Sequence, residues 1–180
     1  MDPIEAHRRA QAVFGSKLQA VDQDQLTAPT PCTDWTVREL IEHVAAGNWR
    51  VAGNQSRGLP EDIEAIRDEI ASSARAAMEA LEAPRALEQE VEMPFGRIPG
   101  SLYVRLRSVD VATHAWDLAR ATAQPRDFDP ELAEELLEWA RQVIRPEQRG
   151  PGKAFGLEQP CPPEASPADR LACFLGRSAD

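Results

Sequence analysis

A chain of 180 residues with 42% hydrophobic content is long enough to bury a real core as one large domain. Thirty acidic residues against twenty basic ones leave a formal charge of -10, which argues against nucleic acid and anionic membranes as partners, because both need a basic face. The chain has no apolar run of about 18 residues and its start lacks a signal-type apolar segment. Its three cysteines, Cys32, Cys161 and Cys173, sit at spacings that suit neither a disulfide framework nor a Cys-x-x-Cys zinc site. A cytoplasmic protein with reduced thiols is the expectation.

In chain order, Pro3 to Asp22 reads as a first helix, with Ala10, Val13, Phe14, Leu18 and Val21 on one stripe. His7 on this helix has no evident partner, so an exposed or half-exposed ring is expected. Pro29 and Pro31 then forbid helix. Thr36 and Glu39 form a capping box, and Trp35 with Leu40 forms its hydrophobic staple, so a second helix starts here in a defined orientation. It carries Val37, Leu40, Ile41, Val44 and Val51 on its apolar stripe, with His43 at the stripe's edge, and should end near Val51.

Pro60 and Glu61 open a third helix with Ile63, Ile66, Ile70, Ala77 and Leu81 at helical spacing, closed by Pro84. Between 88 and 99 the pattern changes to weak alternation with Pro94, Gly96 and Pro99, which suits a loop with a short hairpin. A fourth long helix runs from about Ser101 to Ala123. Asp129 as N-cap and Pro130 at N1 start a further helix, which Pro146 ends. The Pro- and Gly-rich remainder closes with a short helix from Pro167 to Leu175. The sequence therefore predicts an all-α bundle, with residues 1–146 as the helical domain and 147–180 as a tail packed on it.

The fourth helix carries the chemistry. Asp110 and His114 are four residues apart and so lie one above the other on one face, with Asp117 close to His114. Val109, Val111, Trp116 and Leu118 make the helix apolar nearly all round, which marks it as buried. Buried carboxylates and imidazoles must be paired or must coordinate something. With His43 as third ligand, two imidazoles and one carboxylate would hold a divalent ion with open positions, most readily Zn2+, with Ni2+ or Fe2+ as alternatives. The same residues also suit an ordinary core in which Asp110 merely orients His114. Cys32, just ahead of the second helix, reads as a small buried cysteine with a reactive or metal-ligating thiol as the alternative, and Arg97, Arg105 and Arg107 read as surface ion-pair partners, with a substrate carboxylate as the alternative partner.

The segments Pro-Thr-Pro-Cys-Thr-Asp-Trp-Thr-Val-Arg-Glu-Leu-Ile-Glu-His, residues 29–43, and Asp-Val-Ala-Thr-His-Ala-Trp-Asp-Leu, residues 110–118, resemble signature segments of an actinobacterial metal-binding family. That family is related to mycothiol-dependent maleylpyruvate isomerase and the wider DinB-like superfamily, and the tail segments 150–156 and 169–176 are similar to it too. The resemblance implies a DinB-like four-helix bundle with a divalent metal at one end, held by His43, Asp110 and His114. In the isomerase relatives the carboxylate is usually glutamate; here it is the shorter aspartate. It also implies a thiol transferase or isomerase using a mycothiol- or bacillithiol-type cosubstrate. Asp117, near His114, and Tyr103, two turns earlier on the same helix, read as residues that could tune such a site, with a plain structural role as the alternative. A metal- or small-ligand-binding bundle without catalysis is the alternative. Small-molecule substrate or thiol partners follow, and bundles of this kind often pair as homodimers.

Overall fold

The computed structural model describes residues 1–32, 34–93, 96–153 and 155–180. Helix α1 spans Pro3–Gln19, α2 Val37–Val51, α3 Ile63–Glu82 and α4 Gly100–Ala121. These four pack as a bundle in which α1 lies against α4 and α3, and α2 against α3 and α4. A two-stranded antiparallel hairpin, β1 Glu90–Met93 and β2 Gly96–Pro99, connects α3 to α4, pairing Glu90 with Pro99 and Met93 with Gly96. Residues 94 and 95, between the two strands in sequence, lie outside the described residues. Helices α5 (Pro130–Val143) and α6 (Pro167–Phe174) pack on each other and on α4.

Local chemistry places the helix ends. The Asp2 carboxylate accepts from Ile4 and Glu5 N–H at the start of α1, and the Asp62 carboxylate does the same for α3. The third helix thus begins after Asp62 and not at Pro60, because the capping carboxylate outranks proline as a start signal. The first helix stops at Gln19, three residues short of the expected end, and a separate 3-10 turn at Gln23–Thr27 follows Asp22. The Thr36–Glu39 capping box of α2 forms as the sequence requires, with the Glu39 carboxylate accepting from Thr36 N–H at 2.7 Å.

The core draws on each of α1 to α6. Phe14, Leu18, Leu40, Ile41, Ile66, Leu118, Leu132, Leu136 and Leu171 are at most 1% exposed, each such side chain contributing roughly 1.5–3 kcal/mol by leaving water. Through this apolar mass runs one polar seam. Gln11 donates to Asn48 Oδ1 at 2.5 Å and to His7 Nε2 at 3.2 Å, and Asn48 donates back to Gln11 at 3.2 Å and to Ser73 Oγ at 3.3 Å. His7 Nδ1 meets Ser108 Oγ at 3.5 Å, and Ser108 donates to Val104 O. The seam joins α1, α2, α3 and α4. His7 is therefore fully buried and partnered, not exposed: its partners come from elements up to 101 residues away, which no local pattern on the first helix reveals.

Candidate metal centre

The capping box and staple of α2 put His43 on the face of that helix turned to α4, and α4 brings Asp110 and His114 to meet it. His43 Nε2 lies 3.2 and 3.3 Å from the two oxygens of Asp110, and His114 Nε2 lies 3.3 Å from Asp110 Oδ1. The two ring centroids are 5.0 Å apart. Trp35, the staple residue, packs at a tilt against both rings, with centroids 4.6 Å from His43 and 5.5 Å from His114. The indole thus serves as a wall that limits how far either imidazole can turn, a role the staple pattern alone did not disclose.

These three residues form the floor of a cavity of about 870 Å3 between α2, α4 and the C-terminal tail. Leu102, Leu106, Val109 and Phe155 supply apolar lining, and Tyr103 and Cys32 also reach the wall. Its cationic side chains, Arg50, Arg107, Arg145, Lys153 and Arg177, outnumber the acidic Asp110 and Glu147. An acidic protein therefore encloses a locally basic space.

Two arginines complete the centre. Arg107 is buried, not at the surface as expected, and donates to Asp110 Oδ2 at 2.5 Å. It reaches that position by crossing α2 at Gly47, where a Cβ would fall 2.0 Å from its Nη2. Arg97 does pair at the surface, with Glu90, and Arg105 reaches Glu135 at 2.5 Å. Arg177, from the tail, holds Asp117 by two hydrogen bonds, Nη2 to Oδ2 at 2.8 Å and Nε to Oδ1 at 3.1 Å. Asp117 has no exposure and accepts from His114 Nδ1 at 3.0 Å. The sequence pattern placed Asp117 beside His114; Arg177, sixty residues on, carried no signal of its own.

Charges follow this geometry. Partial burial opposes ionisation of Asp110, yet Arg107 and then His114 hold its carboxyl well below the usual range. Burial likewise opposes protonation of His114, but Asp110 and Asp117 overcome it and raise the imidazole to about 9. His114 is thus an imidazolium clamped between two carboxylates. Burial raises the Cys32 thiol despite the nearby Arg177, so its position before a helix does not activate it.

Among the described residues, two groups bring ligand atoms within 4.8 Å of one another: His43, Asp110 and His114, and Cys32, His114 and Asp117. The first fits a divalent ion by a simple test. Ligands about 2.0–2.1 Å from a tetrahedral centre lie roughly 3.3 Å apart, which is the spacing of Asp110 Oδ1 from both imidazole nitrogens. That group also faces the cavity, where a further ligand has room.

A family model described as the mycothiol maleylpyruvate isomerase N-terminal domain matches residues 7–119. Two uncharacterized proteins of Mycobacterium tuberculosis, from strains CDC 1551 and H37Rv, are each 46% identical over 183 residues, covering 99% of this chain and 99% of their own. The crystal structure of the mycothiol-dependent maleylpyruvate isomerase superposes with a TM-score of 0.59 at 22% identity, over 78% of this chain and 70% of that one. A mutant of that isomerase gives the same TM-score at 20% identity. The likeness in architecture accords with the DinB-like bundle expected from the sequence.

Proposed function

Because the chain belongs to the mycothiol maleylpyruvate isomerase N-terminal domain family, we propose that it binds a divalent metal ion through His43, Asp110 and His114, and works as a metal-dependent thiol transferase or isomerase. The single observation that carries this reading is the meeting of two imidazoles and one carboxylate, at ligand spacing, on the floor of a cavity of about 870 Å3. Zn2+ suits this donor set best, with Ni2+ or Fe2+ as alternatives. A divalent ion bound there would lower the pKa of a small thiol such as mycothiol or bacillithiol and so supply a thiolate nucleophile near neutral pH.

The chain's own residues do the rest. His114 is oriented by Asp117, which accepts from its Nδ1 and leaves Nε2 directed at Asp110 and the cavity. Arg107 holds Asp110 ionised and fixed in rotation. Trp35 restrains both rings, and Leu102, Leu106 and Val109 give the cavity an apolar wall beside the ligands. The cations Arg50, Arg145 and Lys153 suit an organic-acid electrophile such as maleylpyruvate.

Metal analysis and calorimetric Zn2+ titration of the wild type, His43→Ala and His114→Ala, followed by maleylpyruvate turnover with mycothiol, test this. The expected result is one ion per wild-type chain, weakened at least tenfold in either variant, with turnover lost in His114→Ala. Absence of stoichiometric uptake discards the metal. Uptake with equal turnover in wild type and His114→Ala discards catalysis at this site and leaves a non-catalytic binding bundle.

A further inference from the structure

The second candidate triad, Cys32, His114 and Asp117, shares His114 with the first and is the more deeply buried of the two. A metal choosing between them would meet a thiol and a carboxylate on one side of the His114 ring, and His43 with Asp110 on the other. Arg177 stands on the first of these sides. Its Nη2 lies 2.8 Å from Asp117 Oδ2 and 3.7 Å from Cys32 Sγ, so a cation already sits among these groups. A guanidinium has five donors and no acceptor, and its fork matches both oxygens of the Asp117 carboxylate.

The position of Arg177 is built into the fold. Its backbone N–H bonds to Ala172 O at 3.0 Å and its Nη1 to Leu175 O at 3.0 Å, which anchors it to the end of α6. Gly176, with φ +95°, turns the chain there, and a Cβ on it would lie 2.7 Å from Gly156 Cα. Only glycine permits that crossing. Arg177 also lies outside residues 7–119, the part matched by the family model.

We propose that Arg177 is a positioning residue that selects which side of His114 takes the metal: its guanidinium fills the Cys32–His114–Asp117 triad and, through Asp117, presents His114 Nε2 to the His43–Asp110 side. This rests on the metal reading above. The tail thereby decides the ligand set of a centre whose ligands all belong to the bundle. Without Arg177, Cys32 and Asp117 become free to compete with His43 and Asp110, and the Cys32 thiol would release its proton to solvent as its sulfur binds the ion.

Cobalt substitution reads the outcome directly, since a thiolate ligand adds a near-ultraviolet charge-transfer band that nitrogen and oxygen ligands do not. Wild type titrated with Co2+ alone should show no such band, and Cys32→Ser should leave its spectrum unchanged. Arg177→Ala should gain the band and lose it again in the Arg177→Ala/Cys32→Ser double variant, whose Co2+ affinity falls about tenfold or more because His114 is no longer held. Arg177→Lys restores a cation and should show no band. A thiolate band in wild type, or an Arg177→Ala protein matching wild type in spectrum and affinity, overturns the proposal. If wild type takes up no Co2+, the metal reading itself fails. The ring lock is then read in metal-free protein, where the His114 Nδ1–H proton resonance should be slow to exchange in wild type and in Arg177→Lys and lost to exchange in Arg177→Ala. An equal signal in Arg177→Ala refutes the lock.

Discussion

Gly47→Ala sets two effects of opposite sign against each other at the point where Arg107 crosses α2. Helix propensity alone makes the change stabilising by about 1 kcal/mol. The added Cβ, however, would lie 2.0, 2.2 and 2.6 Å from Nη2, Cζ and Nη1 of Arg107, so the guanidinium must move away. Doing so breaks its 2.5 Å hydrogen bond to Asp110 and its 3.5 Å contact with Val44 O. A hydrogen bond to a charged group contributes about 1.5–3 kcal/mol. The Asp110 side chain is 32% exposed, so screening puts this one toward the lower half of that range. The balance is a net loss of about 1 kcal/mol, or a fall in Tm of about 2–4 °C for a domain of this size. Urea unfolding measures the loss, and 13C titration of Asp110 should show its carboxyl rising toward the ordinary range once Arg107 has gone. In an Arg107→Ala background the sign should reverse, leaving only the helix-propensity gain. A Gly47→Ala protein more stable than wild type, with Asp110 titrating as before, would mean that Arg107 does not need the gap at Gly47.

Burial, aided by Arg107, pushes His7 down to about 3, while the unfolded chain titrates near about 6.5. Protons therefore bind the unfolded state first: stability is intact above about 6.5 and falls by up to about 1.4 kcal/mol per unit as the pH drops toward 3. Unfolding at pH 7 and pH 5 should show roughly 2 kcal/mol of this loss, and His7→Gln should remove it; an unchanged slope in that variant contradicts the assignment. His114 behaves oppositely, since its raised folded value gives metal-free protein a stability present below about 6.5 and lost as the pH climbs through about 9. A divalent ion at Nε2 must displace that proton, so affinity should climb about tenfold per unit from pH 7 to about 9, and calorimetry in two buffers should detect release of about one proton; pH-independent affinity rules out His114 as ligand. Thr36→Ala removes the α2 cap from Glu39 N–H and should cost about 1 kcal/mol in thermal unfolding; no loss would mean that tertiary packing alone holds the end of that helix.

The parts legible in the sequence were those with short-range causes. The Thr36–Glu39 box, the Asp129-Pro130 start and the Asp110–His114 spacing all act within one helical turn, and each element they imply is present. His43 was reachable because the box fixes the rotation of its helix. The burial of Arg107 is not legible locally, because it depends on the absence of a side chain at Gly47, 60 positions earlier on another helix. His7 and Arg177 escaped for the same reason: their partners, Ser108 and Asp117, lie 101 and 60 residues away. Periodicity reports which face of a helix is buried, and not which polar groups will meet there.

The amide of Asn48 gives the bundle a ruler. Its two ends are matched to Gln11 on α1 and Ser73 on α3, whereas neighbouring leucines and isoleucines would tolerate sliding. A shift of α2 by one turn, about 5.4 Å, would strand that amide in hydrocarbon and carry His43, five residues away on the same rod, out of reach of Asp110. A purely oily interior would hold the helices together equally well and let the imidazole wander; one awkward polar group in the middle makes every misaligned packing expensive.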